Sequence, residues 1–180
     1  GLNVLGYFGE KDKLISDTAR ELRVQNTSDI AHKAASLTSE LSAAKREIDA
    51  LNSKLAATKL DSLFAGAIKV GDFTLVTARL DGTALEVARS MGDEIKANKS
   101  DTVAVLAVNT DGKVNFIAVA GAGAVKAGAH AGKIVSAVAA VTGGKGGGRP
   151  DNAMAGGRDA GKIDEALAVA VDTLTAQIIK

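Results

Sequence analysis

The sequence has no cysteine, which excludes disulfides, thiolate metal sites and a cysteine nucleophile. Its two histidines are too few for a multi-histidine metal site. Five aromatics, Tyr7, Phe8, Phe64, Phe73 and Phe116, are too scattered to build a base-stacking platform. No apolar run approaches the roughly 18 residues of a membrane span, and no signal-peptide pattern opens the chain. Neither sign of charge dominates. The 22 Lys and Arg against 21 Asp and Glu leave a net charge of +1, so no global field draws the chain to nucleic acid or membrane. These absences point to a soluble, cytosolic protein, and Gly1 in place of methionine points to a fragment or a trimmed chain.

What is abundant is small: Ala and Gly make up 30% of the chain. Apolar residues reach 46%, which supports a packed core and excludes a wholly disordered chain. With 180 residues there is room for one medium domain, or a small domain with an appendage.

The pattern changes near residue 70. Ile30, Ala34, Leu37, Leu41, Ala44, Ile48, Leu51 and Leu55 step by alternating fours and threes, the seam of a heptad helix. Thr27, Ser28 and Asp29 offer capping oxygens just before it. At about 1.5 Å per residue the seam spans on the order of 38 Å. Val4, Phe8, Ile15, Ala19 and Leu22 form an earlier helical stripe, interrupted by Lys11, and the polar Gln25–Ser28 joins the two. Residues 1–67 therefore read as a helical hairpin or coiled-coil linker, the seam buried against the first helix or against a second subunit.

Residues 68–180 read as a small globular domain of mixed class, α/β or α+β, with a mixed sheet. A strand is expected over 73–79 and a helix over 83–97, burying Ala84, Ala88, Met91 and Ile95. The runs TVAVLAVN (102–109) and KVNFIAVA (113–120) flank the turn residues Asp111 and Gly112, a strong hairpin signal. An Ala-rich helix over 127–141, a Gly-rich loop over 143–157 and a last helix over about 160–178 complete the chain.

Charge is uneven within this domain. Between Gly112 and Pro150 there is no acidic residue, while Lys113, Lys126, Lys133, Lys145 and Arg149 lie there and Arg158 and Lys162 follow. Such a zone is either solvated lysine on an Ala-rich helix or a patch for phosphates. The loop beside it holds Gly143, Gly144, Gly146, Gly147, Gly148, Gly156 and Gly157. Glycines allow close backbone approach, so the loop reads either as an anion-binding nest or as a sterically tight passage. It is not a Walker A loop, because no Gly-Lys-Ser/Thr follows, and Arg149 and Asp151 break the dinucleotide fingerprint.

No catalytic constellation emerges. His32 sits on the heptad helix, His130 has no acidic neighbour in sequence, and Asp151 beside Arg149 is better explained as bracing the loop than as a metal ligand. Two-metal hydrolysis needs several carboxylates and histidines together, which the chain lacks. Catalytic and metal residues are therefore expected to be none.

The segment GGKGGGRPDNAMAGG, preceded by an Ala-rich helix ending in Val135-Ser136-Ala137-Val138, resembles the C-terminal domain of bacterial alanyl-tRNA synthetases, down to its Gly-Gly-Arg-Pro-Asp core. The resemblance covers essentially the whole chain, with the loop its specific part. It implies the DHH-associated domain, a fold shared with oligonucleotide phosphoesterases. Those relatives usually carry His where Arg149 follows Gly148 here, which favours the synthetase branch.

By this resemblance the chain is a non-catalytic part of an alanine–tRNA ligase, binding the outer corner of tRNA(Ala). It would support aminoacylation and editing by the other domains of the same synthetase, and in many members it mediates a homodimer. ATP and zinc belong to those other domains, so no cofactor is expected here. Lys126, Lys133, Lys145, Arg149 and Arg158 are the expected tRNA contacts. Three alternatives stand beside this reading: the C-terminal domain of a free-standing alanyl-tRNA editing protein, a coiled-coil oligomerisation module, and the substrate-binding domain of a DHH-type phosphoesterase.

Overall fold

A computed structural model describes residues 2–110 and 112–179, and the chain divides into two compact units, residues 1–50 and 51–180. In the first, α1 (Leu2–Glu21) is followed by a 3-10 turn (Thr27–Asp29) and then α2 (Ile30–Phe64), whose last turns belong to the second unit. The end of α1 is a Schellman closure. The Val24 N–H donates to Ala19 O and the Arg23 N–H to Arg20 O, both at 3.0 Å, and Arg23 takes the left-handed conformation at φ 55°.

The expected packing of the seam against the first helix is not formed. Leu41 is 72% exposed, and Leu37, Ile48, Leu51 and Leu55 are exposed as well. On α1, Val4, Phe8 and Ile15 of the expected stripe also face solvent, and Ala19 is the one buried residue described in this unit. A stripe broken by Lys11 offers no continuous ridge for the seam to meet.

The second unit is built on a six-stranded sheet. Its elements are β1 (Ile68–Val70), β2 (Phe73–Asp81), α3 (Leu85–Asn98), β3 (Thr102–Thr110), β4 (Lys113–Ala120), α4 (Ala122–Lys126), α5 (Ala131–Val141), β5 (Lys145–Gly148), β6 (Asn152–Gly157) and α6 (Ile163–Ile178). Strand order is β1-β2-β3-β4-β6-β5. Only β2 and β3 run parallel, joined through α3, and every other pair is antiparallel. The run from Val103 to Val108 is buried throughout, as a central strand covered on both faces requires.

Alternation along the strands sorts the core into two layers. Val103, Val105, Phe116 and Ala118 meet Ile134 and Val138 of α5 and Leu174 of α6. Val76, Ala104, Leu106 and Ile117 meet Met91 and Ile95 of α3, with Ala56, Leu60 and Phe64 from the end of α2. Those last turns of α2 are why the unit begins at residue 51, ahead of the change of pattern at 67/68.

Four local expectations are corrected. Ala84 precedes α3 and is exposed, Val87 taking the buried position. The Ala-rich helix expected over 127–141 begins only at Ala131, as α5, because Gly128 at φ 109° parts it from the short α4 that ends at Lys126. The short β1 was not anticipated at all. Most consequentially, the Gly-rich segment is no loop: it forms the hairpin β5–β6 at the sheet edge. At the β3–β4 turn Gly112 has φ 77°, and Asp111 lies outside the described residues.

Candidate nucleic-acid interface

The hairpin β5–β6 and the helix α5 are held together by glycine. A Cβ on Gly132 would collide with the carbonyl oxygen of Gly148, and one on Gly148 would lie 2.7 Å from Ala153 Cα. At Gly132 helix and edge strand thus approach backbone to backbone, and at Gly148 the two hairpin strands do, so a side chain at either position is forbidden. The Ala131 N–H donates to Pro150 O (2.9 Å) and the Gly132 N–H to Arg149 O (3.2 Å), tying the start of α5 to the hairpin turn. At its other end α5 closes with a second Schellman motif: Gly144 N–H to Ala139 O, Gly143 N–H to Ala140 O, and Gly143 at φ 69°.

Between the outer face of α5 and β5 lies an open groove of about 660 Å³. One wall is the helical stripe Lys133, Ser136, Ala137, Ala140, with His130 at its head. The other wall is the backbone of Gly146–Gly148. Among the expected contact residues, Lys133 lines the groove and Lys145 begins its strand wall, and both are exposed.

The remaining candidates spread around this groove. Arg158 is exposed just beyond β6, its N–H donating to Thr142 O at 3.1 Å, so it stands with Lys145 at the C-terminal end of α5. Arg149 lies at the opposite end, on the hairpin turn. Four residues of strand at about 3.3 Å each put Lys145 and Arg149 roughly 13 Å apart. Lys126, on α4, lines a separate pocket with Lys96 and Asp151. Lys133, Lys145, Arg149 and Arg158 thus form a basic band along α5 and its hairpin, and Lys126 stands apart from it.

Arg149 has a structural partner. Its Nε lies 3.2 Å from Asp151 Oδ1, and Lys96 Nζ of α3 lies 3.0 Å from Asp151 Oδ2. The bond from Lys96, with the nearby Arg149 charge, holds the Asp151 carboxyl below the usual carboxylate range. Asp151 thus braces the turn, as its neighbourhood in sequence implies, while Lys96 is a partner that a separation of 55 residues concealed. His130, which has no acidic neighbour in sequence, is the N-cap of α5, its Nδ1 accepting from the Lys133 N–H at 3.4 Å.

Among the described residues no cluster of three or more His, Asp or Glu is placed to hold a metal ion, and no helix is long and apolar enough to cross a membrane.

Comparison with known proteins gives these observations a family. Residues 72–176 match the DHHA1 domain. The chain is 42% identical over 178 residues to the alanine–tRNA ligase of Acetivibrio thermocellus, covering 99% of this chain and 20% of that one. It is 39% identical over 162 residues to the alanine–tRNA ligase of Shouchella clausii, covering 90% and 18%. The chain thus spans about a fifth of the length of these curated relatives. Among solved structures, the C-Ala domain of Aquifex aeolicus alanyl-tRNA synthetase matches at 28% identity and TM-score 0.55, over 61% of this chain and 97% of that domain. RecJ from Thermus thermophilus, solved with Mn2+, matches at TM-score 0.53 but 12% identity, over 85% of this chain and 20% of that one, a likeness of fold alone. With the family match spanning more than half its length, the chain belongs to the DHHA1 domain family, and its relatives place it with the C-terminal domain of alanyl-tRNA synthetases.

Proposed function

We propose that this chain is a tRNA-binding module of an alanine–tRNA ligase, engaging tRNA(Ala) through the basic band along α5 and the β5–β6 hairpin. The observation that carries the reading is the glycine-walled groove, where Lys133 and the strand of Lys145 border a surface open enough for an RNA backbone. The acid-free stretch from Gly112 to Pro150 leaves those cations uncompensated on their own elements. An RNA fold read by shape and phosphate needs no splayed bases, in keeping with the sparse aromatics. In this reading the chain is non-catalytic, ATP and zinc act in other domains of the parent ligase, and the protein works in the cytoplasm.

The test is the salt-dependent affinity of the chain for tRNA. Lys133→Ala combined with Lys145→Ala should weaken tRNAs of different identity by similar factors, since phosphate contacts position without specifying. Each lost contact should also flatten the log–log salt dependence by somewhat under one unit. A folded double variant that binds as tightly as wild type, with an unchanged slope, overturns the reading.

The exposed seam favours a second, compatible reading: self-association of the chain along α2. Leu37, Leu41, Ile48, Leu51 and Leu55 form an apolar line on a helix, and none of them is buried. A heptad seam of that length is ordinarily covered by another helix.

A further inference from the structure

We propose that His130 is a binding residue of the groove, presenting its Nε2–H as a neutral hydrogen-bond donor to an oxygen of the RNA backbone. The proposal rests on the groove being the tRNA contact, and adds to it a residue, a protonation form and a kind of contact.

The His130 Nδ1 accepts the Lys133 N–H at the first turn of α5, so in the neutral ring that nitrogen carries no proton and the proton resides on Nε2. The residue is clamped from its other side, because its own N–H donates to Gln177 Oε1 of α6 at 2.7 Å. The ring is thus held by the Lys133 N–H, which it shares with the His130 carbonyl oxygen at 3.0 Å, while the Gln177 bond fixes the backbone beneath it. Among the described residues no group bonds Nε2, and His130 forms part of the groove lining.

Its surroundings define what it can contact. His130, Lys133 and Ser136 follow one another along a single helix face, so charge and hydroxyl stand beside the ring. Farther along, the lining is Ala137, Ala140 and glycine backbone, with no polar side chain. The polar head of the groove is thus one cation flanked by two neutral hydrogen-bonding groups. An oxygen acceptor, either a phosphate oxygen or a ribose 2′-hydroxyl, satisfies that set.

The experiment compares His130→Asn with Lys133→Ala at pH 8. Asn is among the best N-caps, so it keeps the cap while removing the Nε2 donor. His130→Asn should bind a tRNA(Ala) transcript about threefold to tenfold more weakly with its salt slope unchanged, as loss of a neutral hydrogen bond requires. Lys133→Ala should instead flatten the slope. On the wild-type chain, long-range proton–nitrogen NMR of the imidazole should show the proton on Nε2, a readout independent of any variant's folding. A DNA copy of the tRNA sequence separates the acceptors: a loss that persists assigns a phosphate oxygen, and one that vanishes assigns the 2′-hydroxyl.

A proton found on Nδ1 overturns the proposal. So does wild-type affinity in His130→Asn while Lys133→Ala weakens binding, an outcome that leaves the groove reading intact. If Lys133→Ala and Lys145→Ala both bind as wild type, the groove reading itself fails.

Discussion

Lys96 Nζ lies 3.0 Å from Asp151 Oδ2, joining α3 on one face of the sheet to the turn of the β5–β6 hairpin. Arg149 grips the second carboxylate oxygen at 3.2 Å. The pair is partly solvated, Asp151 being 37% exposed at its side chain, so its contribution to stability is about 1 kcal/mol or less. Because the folded carboxyl titrates below its unfolded value, that contribution is fully present above about pH 3.9 and disappears as pH falls through the lowered folded value. Asp151→Asn should accordingly lower the melting temperature at pH 7 by a few degrees, and the difference from wild type should narrow as pH falls below about 3.9. Amide exchange at Asn152 and Ala153 should speed up in the variant at neutral pH.

The glycines differ sharply in what they tolerate. Gly132→Ala drives a methyl into the Gly148 carbonyl, a backbone atom that cannot rotate away. Over-packing of this sort costs about 1–3 kcal/mol, and here it also pushes the hairpin from α5. Gly147→Ala meets nothing within 4 Å and should change stability by less than about 1 kcal/mol. Thermal melts of the two single variants check the contrast, and equal losses would show that the helix–strand approach is not what Gly132 protects.

These glycines also explain where the sequence was legible. The β3–β4 hairpin could be read because two β-rich runs flank the turn residues Asp111 and Gly112 in sequence, and Ala88, Met91 and Ile95 because their spacing is helical. The β5–β6 hairpin could not, since strand propensity scores side chains and β5 is three-quarters glycine. Its glycines answer to backbone brought near from elsewhere in the chain, Gly132 against Gly148, which no local pattern encodes. The same holds for the site: Lys133 and Lys145 were visible as cations in an acid-free stretch, whereas Lys96 reaches Asp151 only through the sheet. The cap formed by His130 was hidden for another reason. Ala-rich sequence carries helix propensity straight through 127–141, and only the turn at Gly128 breaks it.

Arg23 closes the end of α1 in a conformation that glycine adopts freely and other residues do not. Arg23→Gly should therefore stabilise the first unit by up to about 1 kcal/mol, since the Schellman bonds at Val24 and Arg23 are retained. Circular dichroism at 222 nm should show the α1 signal persisting to higher temperature. A loss of helicity instead would mean that flexibility gained in the unfolded chain outweighs the relief of strain.

Leu41 tests what covers the seam. From its heptad position alone, Leu41→Asp would be strongly destabilising, but at 72% exposure the charge stays in water. In dilute solution the variant should melt within a few degrees of wild type, its cost being about 0.5 kcal/mol of helix propensity. At high concentration the two should diverge. If the chain self-associates along α2, wild type sediments as a larger species and melts at a temperature that rises with concentration, while Leu41→Asp remains the smaller species at all concentrations. Lys45→Ala, on the same helix but off the seam, controls for charge and should leave the wild-type association in place. Identical sedimentation of wild type and Leu41→Asp over the whole range would remove the seam from the list of contacts between copies.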